Sequence, residues 1–216
     1  MSSGLFISFE GGEGSGKTTQ INKLAEILTH NKRKVITTRE PGGTPEGEKI
    51  RSLIVQREGG DWNPMAECLL LFAARVMHVE KIIKPALERG KIIISDRFTD
   101  STRAYQGYGR GFSLDMIEKI NTLTLGDFKP DLTFILDIEP QKGLSRSSRR
   151  LAAEDLQINQ TEDRFENMDL EFHEKLRKGF LGIAKKDPKR CVVLDAALPI
   201  DDLTKKIHKI VEERLS

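Results

Sequence analysis

Apolar residues along the chain gather into five short runs: LFISFE (5 to 10), KVITTR (34 to 39), KIIISDR (91 to 97), LTFILDI (132 to 138) and CVVLDA (191 to 196). Longer segments of helical periodicity separate them. Near-continuous apolar runs of this length suit strands covered on both faces, so the alternation predicts an α/β fold built on a five-stranded parallel sheet. Each run ends in polar residues: Glu10, Arg39 and Glu40, Asp96 and Arg97, Asp137, Asp195. In open sheets of this kind ligands sit at the carboxyl ends of the strands, so these residues are expected to line one cleft. No repeat or low-complexity tract breaks the pattern, and 216 residues fit one domain. The least core-like stretch, 145 to 169, mixes arginines and acids with few large apolar residues and reads as a mobile flap.

An apolar content of 38% is enough for a buried core. The 35 Lys and Arg against 33 Asp and Glu leave a net charge of +2, too balanced to point to a nucleic-acid or membrane-surface partner. The two cysteines, Cys68 and Cys191, have no Cys or His cluster nearby, so the expectation is two reduced, buried thiols and no zinc site. No basic flank precedes the first apolar run, and no window approaches the ~18 apolar residues of a membrane span. The cytoplasm is the expected location.

Gly11-Gly12-Glu13-Gly14-Ser15-Gly16-Lys17-Thr18 satisfies G-x-x-x-x-G-K-[ST] between a strand and a helical pattern. Glycines let successive backbone N–H groups turn toward one anion, and the positive end of the following helix adds to the attraction. Residues 11 to 18 with Thr19 therefore form the expected ATP loop. Lys17 bridges the β- and γ-phosphates and the Thr18 hydroxyl ligates Mg²⁺. Asp96, at the end of its strand, suits the acidic partner of the magnesium shell, with a helix cap or a salt bridge as the plainer alternatives. Arg97 beside it suggests a second phosphate site, because a simple NTPase needs no second cation there. The guanine-reading N/T-K-x-D motif of a GTPase switch does not occur.

The runs TREPGGT (38 to 44), FAAR (72 to 75), DRF (96 to 98), STRAYQGYGRG (101 to 111) and LGDFKPDLTFILD (125 to 137) together resemble those of the bacterial thymidylate kinases, over essentially the full chain. The resemblance implies a three-layer P-loop kinase fold with strand order 2-3-1-4-5 and a mobile lid. It further implies Mg·ATP-dependent conversion of dTMP to dTDP, and a homodimer. A nucleotide acceptor needs cations for its phosphate, an apolar surface for its base and a polar reader for the base edge. Arg39 and Arg97 end neighbouring strands and could clamp the acceptor phosphate, which is their role in the family. Phe72 and Arg75 lie three apart on one helix and share a face. The resemblance gives them stacking on thymine and donation to its O4, although CLLLFAA also reads as core. It likewise implies a cis bond between Glu40 and Pro41, and acceptor contacts from Ser101, Tyr105 and Gln106, with the tyrosine against the sugar and the glutamine near the base. His78 is expected only to cap or pack.

Glu13 is an odd residue to find among phosphate-binding glycines, since the triphosphate repels it. In relatives an acid here reaches the 3′-hydroxyl of the acceptor sugar. The loop also lacks a basic residue between its first glycine and Lys17, and family members of that kind carry the missing cation on the lid. Arg146, Arg149 and Arg150 are the candidates, with Arg164 further on. Their spacing departs from the family's alternate-position pattern, and Arg150 is the first choice.

Overall fold

The computed structural model describes residues 4–56, 60–153 and 164–215, with backbone alone for 150–153. Five parallel strands, β1 (Leu5–Glu10), β2 (Val35–Arg39), β3 (Ile92–Asp96), β4 (Leu132–Asp137) and β5 (Cys191–Asp195), form one sheet in the order β2-β3-β1-β4-β5. Each strand matches its apolar run to within a residue at either end. Around the sheet run α1 (Lys17–His30), α2 (Pro45–Val55), α3 (Pro64–His78), α4 (Lys84–Glu88), α5 (Thr99–Thr102), α6 (Leu114–Leu125), α7 (Pro140–Ala153), α8 (Leu170–Lys186) and α9 (Ile200–Leu215).

All of β1 is buried, as a central strand with helices on both faces must be. Its alternate residues Leu5, Ile7 and Phe9 pack with Leu24 and Leu28 of α1 and Ile207 and Val211 of α9, whereas Phe6 turns the other way onto Val79, Ile83 and Phe98. Both cysteines are buried free thiols. Among the described residues no helix is long and apolar enough to cross a membrane.

Topology decides which strand ends meet. β1 lies between β3 and β4, and the register sets Phe9 opposite Asp96, and Asp96 opposite Arg39 of β2. The glycine loop after β1 thus abuts the Asp96-Arg97 turn after β3. Two helical stretches widen into π-wound segments: Val79–Ile83 joins α3 to α4, and Arg103–Gly109 extends α5. Such widened turns occur often at functional sites, and the second carries Tyr105 and Gln106.

The flap expected over 145–169 divides. Residues up to 153 belong to α7, so the arginines there ride on a helix, whose exposed face explains the scarcity of apolar side chains. Residues 154–163 lie outside the described residues. From 164 the chain turns into α8, whose N-cap Asp169 accepts a hydrogen bond from the Phe172 N–H at 2.8 Å.

Candidate active site

The loop between β1 and α1 folds as its glycines require. Gly11, Gly14 and Gly16 hold φ of 137°, 64° and 86°, in the region side chains avoid. A Cβ on Gly14 would also come within 1.9 Å of the Gly143 carbonyl oxygen, so the loop touches α7 through two glycines. Lys17 Nζ folds back to the carbonyls of Gly11 (3.2 Å) and Gly12 (3.0 Å). Burial, then the neighbouring Arg97 charge, lowers the Lys17 pKa against the opposing pull of Glu13 and Asp96. Ser15 Oγ donates to the Gly12 carbonyl, and Thr19 is exposed on the first turn of α1.

Thr18 Oγ1 donates to Asp96 Oδ2 at 3.2 Å, while Asp96 Oδ1 is buried with no hydrogen-bond partner. An orphaned buried carboxylate oxygen beside a hydroxyl suits a divalent cation or the water around one. Among the described residues no group of three or more His, Cys, Asp and Glu could hold a metal. These two side chains therefore fit an ion that keeps most of its waters and arrives with phosphate, as Mg²⁺ does.

Arg97 adopts φ of 72°, strained for a residue with a Cβ. Strand pairing imposes the turn: its N–H donates to the Phe9 carbonyl, and its own carbonyl accepts from Ser95 Oγ. The side chain enters the site, with Nη1 on the Gly11 carbonyl (3.1 Å) and Ser101 Oγ (3.2 Å), Nη2 on Glu13 Oε1 (3.0 Å), and the guanidinium 4.9 Å from the Tyr105 ring centre. Tyr105 Oη donates to the same Glu13 oxygen at 2.5 Å. Burial would raise the Glu13 carboxyl, but Arg97, Lys17 and the Tyr105 hydroxyl outweigh it and hold the pKa at about 2. Glu13 thus points away from the phosphate loop toward the second half of the site. Ser101 Oγ also donates to the buried Glu10, whose pKa is raised by burial and by Asp100.

That second half is a cleft walled by Glu13, Glu40, Pro41, Arg75, Arg97, Ser101, Tyr105 and Gln106, eight of the expected acceptor residues. The bond between Glu40 and Pro41 is cis. Arg75 lies 2% exposed on the cleft floor and is held from three sides. Its Nε donates to Glu40 Oε2 (2.6 Å) and its Nη2 to Thr102 Oγ1 (3.0 Å), and the guanidinium lies 4.7 Å from the Phe72 ring centre. Nη1 has no partner. Gln106 Nε2 donates to the buried Glu67 (2.7 Å), leaving Gln106 Oε1 buried and unpaired as well.

One buried donor and one buried acceptor thus remain unmatched in the walls of a single cleft, beside a glycine loop built for a triphosphate. The family model for thymidylate kinase matches residues 9–207. The chain belongs to the thymidylate kinase family. It is 46% identical to the thymidylate kinase of Caulobacter vibrioides over 100% of this chain and 99% of that one. With that of Cereibacter sphaeroides it shares 50% identity over 90% of this chain and 88% of the relative. The crystal structure of thymidylate kinase from Ehrlichia chaffeensis superposes with a TM-score of 0.76 at 38% identity, covering 97% of this chain and 99% of that chain.

Two residues expected at the acceptor stand elsewhere. Phe72 is 1% exposed and packs with Cys68, Ile117 and Ile120, a layer behind Arg75, while Leu71 lines the cleft. Leu71 and Phe72, four and three residues before Arg75, flank it on one helical face, and packing against Ile117 and Ile120 of α6 draws Phe72 into the core while Leu71 stays on the cleft. Arg39, half-exposed, pairs with Glu48 at 3.0 Å outside the cleft walls. Its place in the lining goes to Arg51, within α2, whose Nη1 donates to the Pro41 carbonyl at 2.9 Å.

Other contributors carried little sequence signal. Phe98 and Phe165 line the cleft, and Phe165 meets the Tyr105 ring edge-on at 5.1 Å. Glu67 reads in sequence as an ordinary acid in a helix's first turn. His78 is more than packing, since its Nδ1 lies 3.0 Å from Glu40 Oε1 and its Nε2 2.6 Å from Thr38 Oγ1, holding the carboxylate that holds Arg75. Of the lid arginines, Arg146 donates to the Ala196 carbonyl (2.9 Å) and Arg149 is exposed on α7. The Arg150 side chain lies outside the described residues. Arg164 Nη1 donates to Glu67 Oε2 (2.7 Å) and the Ile54 carbonyl (2.8 Å), facing the acceptor side.

Proposed function

We propose that the protein transfers the γ-phosphoryl group of ATP to dTMP, giving dTDP and ADP. The observation that carries this reading is the unmatched pair in the acceptor cleft. Arg75 Nη1 is a donor and Gln106 Oε1 an acceptor, and the thymine edge presents a carbonyl at C4 beside an N–H at N3. Buried polar groups left unpaired cost more than matched ones gain, so such a pair selects the complementary base.

Entry of dTMP brings its phosphate to Arg97, which exchanges Glu13 for the stronger anion. Glu13, released from one partner and still ionised, is free to accept a hydrogen bond from the sugar 3′-hydroxyl. Tyr105 packs along the sugar where a ribose hydroxyl would otherwise sit. Lys17 leaves the Gly11 and Gly12 carbonyls for the β- and γ-phosphates. A phosphate oxygen of dTMP then attacks the γ-phosphorus, and the bond to the bridging oxygen breaks with its electron pair leaving on ADP. No general base is required, because the attacking oxygen is already anionic. Thr18 and Asp96 would hold the magnesium that accompanies ATP, which supplies charge neutralisation on the phosphate oxygens. Residues 145–169 act as the lid of a single kinase domain, and Arg150, ahead of Arg149 and Arg146, supplies the cation the glycine loop lacks.

The protein works in the cytoplasm as a homodimer. Exposed Met65 and Leu69 on α3 and Met116 and Leu123 on the adjoining α6 supply apolar surface for a second copy. Sedimentation of the free protein as a monomer at micromolar concentration would remove that part of the proposal. The activity itself is tested by coupled ADP release with dTMP, dUMP, dGMP, AMP and CMP as acceptors. We expect turnover with dTMP to exceed the others, and equal or better turnover with a purine or cytidine acceptor overturns the assignment.

A further inference from the structure

Glu67 is fully buried in the first turn of α3. Three donors converge on its carboxylate: Gln106 Nε2 on Oε1 at 2.7 Å, and Arg110 Nη1 at 2.6 Å and Arg164 Nη1 at 2.7 Å, both on Oε2. A carboxylate on which an amide and two guanidinium groups converge serves as acceptor to all three. Only one orientation of the Gln106 amide is then allowed. The NH₂ must face Glu67 and the carbonyl the cleft, because the flipped amide would set its oxygen against the carboxylate.

We propose that Glu67 is a positioning residue that sets base specificity by fixing this amide, so that the site accepts 4-oxo pyrimidines and rejects 4-amino ones. The inference rests on the dTMP kinase reading. With the carbonyl facing the base, N3–H of thymine finds an acceptor, whereas N3 of a cytosine ring would meet an oxygen lone pair.

Glu67→Gln tests this with a directional outcome. Arg110 and Arg164 require an acceptor where Oε2 stands, so the new amide places its oxygen there and its NH₂ toward Gln106. Gln106 then turns over and presents N–H to the base. The measurement is the ratio of kcat/KM for dTMP to that for 5-methyl-dCMP, which differ only at the pyrimidine N3 and C4 positions. We expect the ratio to fall at least about tenfold, and to fall no further when Glu67→Gln is added to Gln106→Ala. An unchanged ratio in Glu67→Gln, or an equal fall in the Gln106→Ala background, overturns the proposal.

Should Glu67→Gln fail to fold, NMR of the parent protein without nucleotide decides the matter. The Gln106 side-chain amide protons should be protected from solvent exchange, and free exchange overturns the assignment. A parent protein that does not phosphorylate dTMP defeats the functional reading instead, and the exchange measurement still reports on Glu67 separately.

Discussion

The acceptor cleft and the donor loop solve different problems with different materials. In the cleft each candidate reading group is held by a second side chain: Arg75 by Glu40, Glu40 by His78, Gln106 by Glu67, and Arg97 by Glu13. At the donor side the groups proposed to meet phosphate are backbone amides and a lysine resting on carbonyls, with Thr18 and Thr19 exposed and arginines along an exposed helix face. A triphosphate is common to many nucleotides and needs charge, which backbone N–H groups and moving cations deliver. A base must be told apart from near-isosteres, which requires polar groups whose orientation is set before the ligand arrives. In the proposed reaction the cleft would therefore select the base, and the loop and helix side would neutralise charge.

Replacing Phe72 and Leu71 separates core from cleft within one helix. Phe72→Ala should cost about 3–5 kcal/mol of stability and, by removing one of three supports of Arg75, raise the KM for dTMP only modestly. Leu71→Ala should cost less stability but raise that KM more. Denaturation and saturation curves on both variants check this, and the reverse pattern would return Phe72 to the cleft wall.

On the donor side, Lys17→Ala should leave the melting temperature near the parent's and lower kcat by a factor equivalent to about 3 kcal/mol or more. Near-normal turnover in the folded variant would mean that the glycine loop does not hold the triphosphate.

Glu13 joins the two halves and gives a pH dependence of known sign. Its folded pKa, about 2, lies below the ordinary carboxylate value of 4.5. The stabilisation is therefore complete above pH 4.5 and lost as the pH falls toward 2. Relative to Glu13→Gln, the parent should lose about 2 kcal/mol across that window, allowing for partial exposure. Urea melts between pH 7 and 3 measure it, and a gap that stays constant with pH would show that Arg97 does not hold Glu13 ionised.

The smallest effects belong to the lid. Arg150→Ala should lower kcat about tenfold, or about 1.4 kcal/mol, with little change in dTMP affinity, because a residue that closes over both nucleotides acts mainly on the transition state. Arg149→Ala should be milder, and the pair together shows whether one replaces the other. Parental turnover in Arg146→Ala, Arg149→Ala, Arg150→Ala and the double variant would make the lid a cover alone.

Much of this was written into local sequence. The five apolar runs and their polar ends set strand number, strand faces and the edge at which the glycine loop, Asp96 and Arg97 gather, because burial on both sides of a parallel sheet leaves a pattern every strand must obey. The glycine spacing fixed the donor loop, since few other sequences can turn successive N–H groups toward one point. What local sequence left undecided was which side chains meet across elements. Phe72 and Leu71 are neighbours in an apolar run, and only the packing of α3 against α6 sends one to the core and leaves the other on the cleft. Arg39 and Arg51 are both plausible cations, and the partner Glu48 holds the first outside the cleft. Glu67 looked like any acid in a first helical turn, and acquired its place only when the π-wound segment and Arg164 closed over it. Periodicity records burial, which is a property of one element; orientation of a buried polar group is a property of its partners, and those are brought together by the fold.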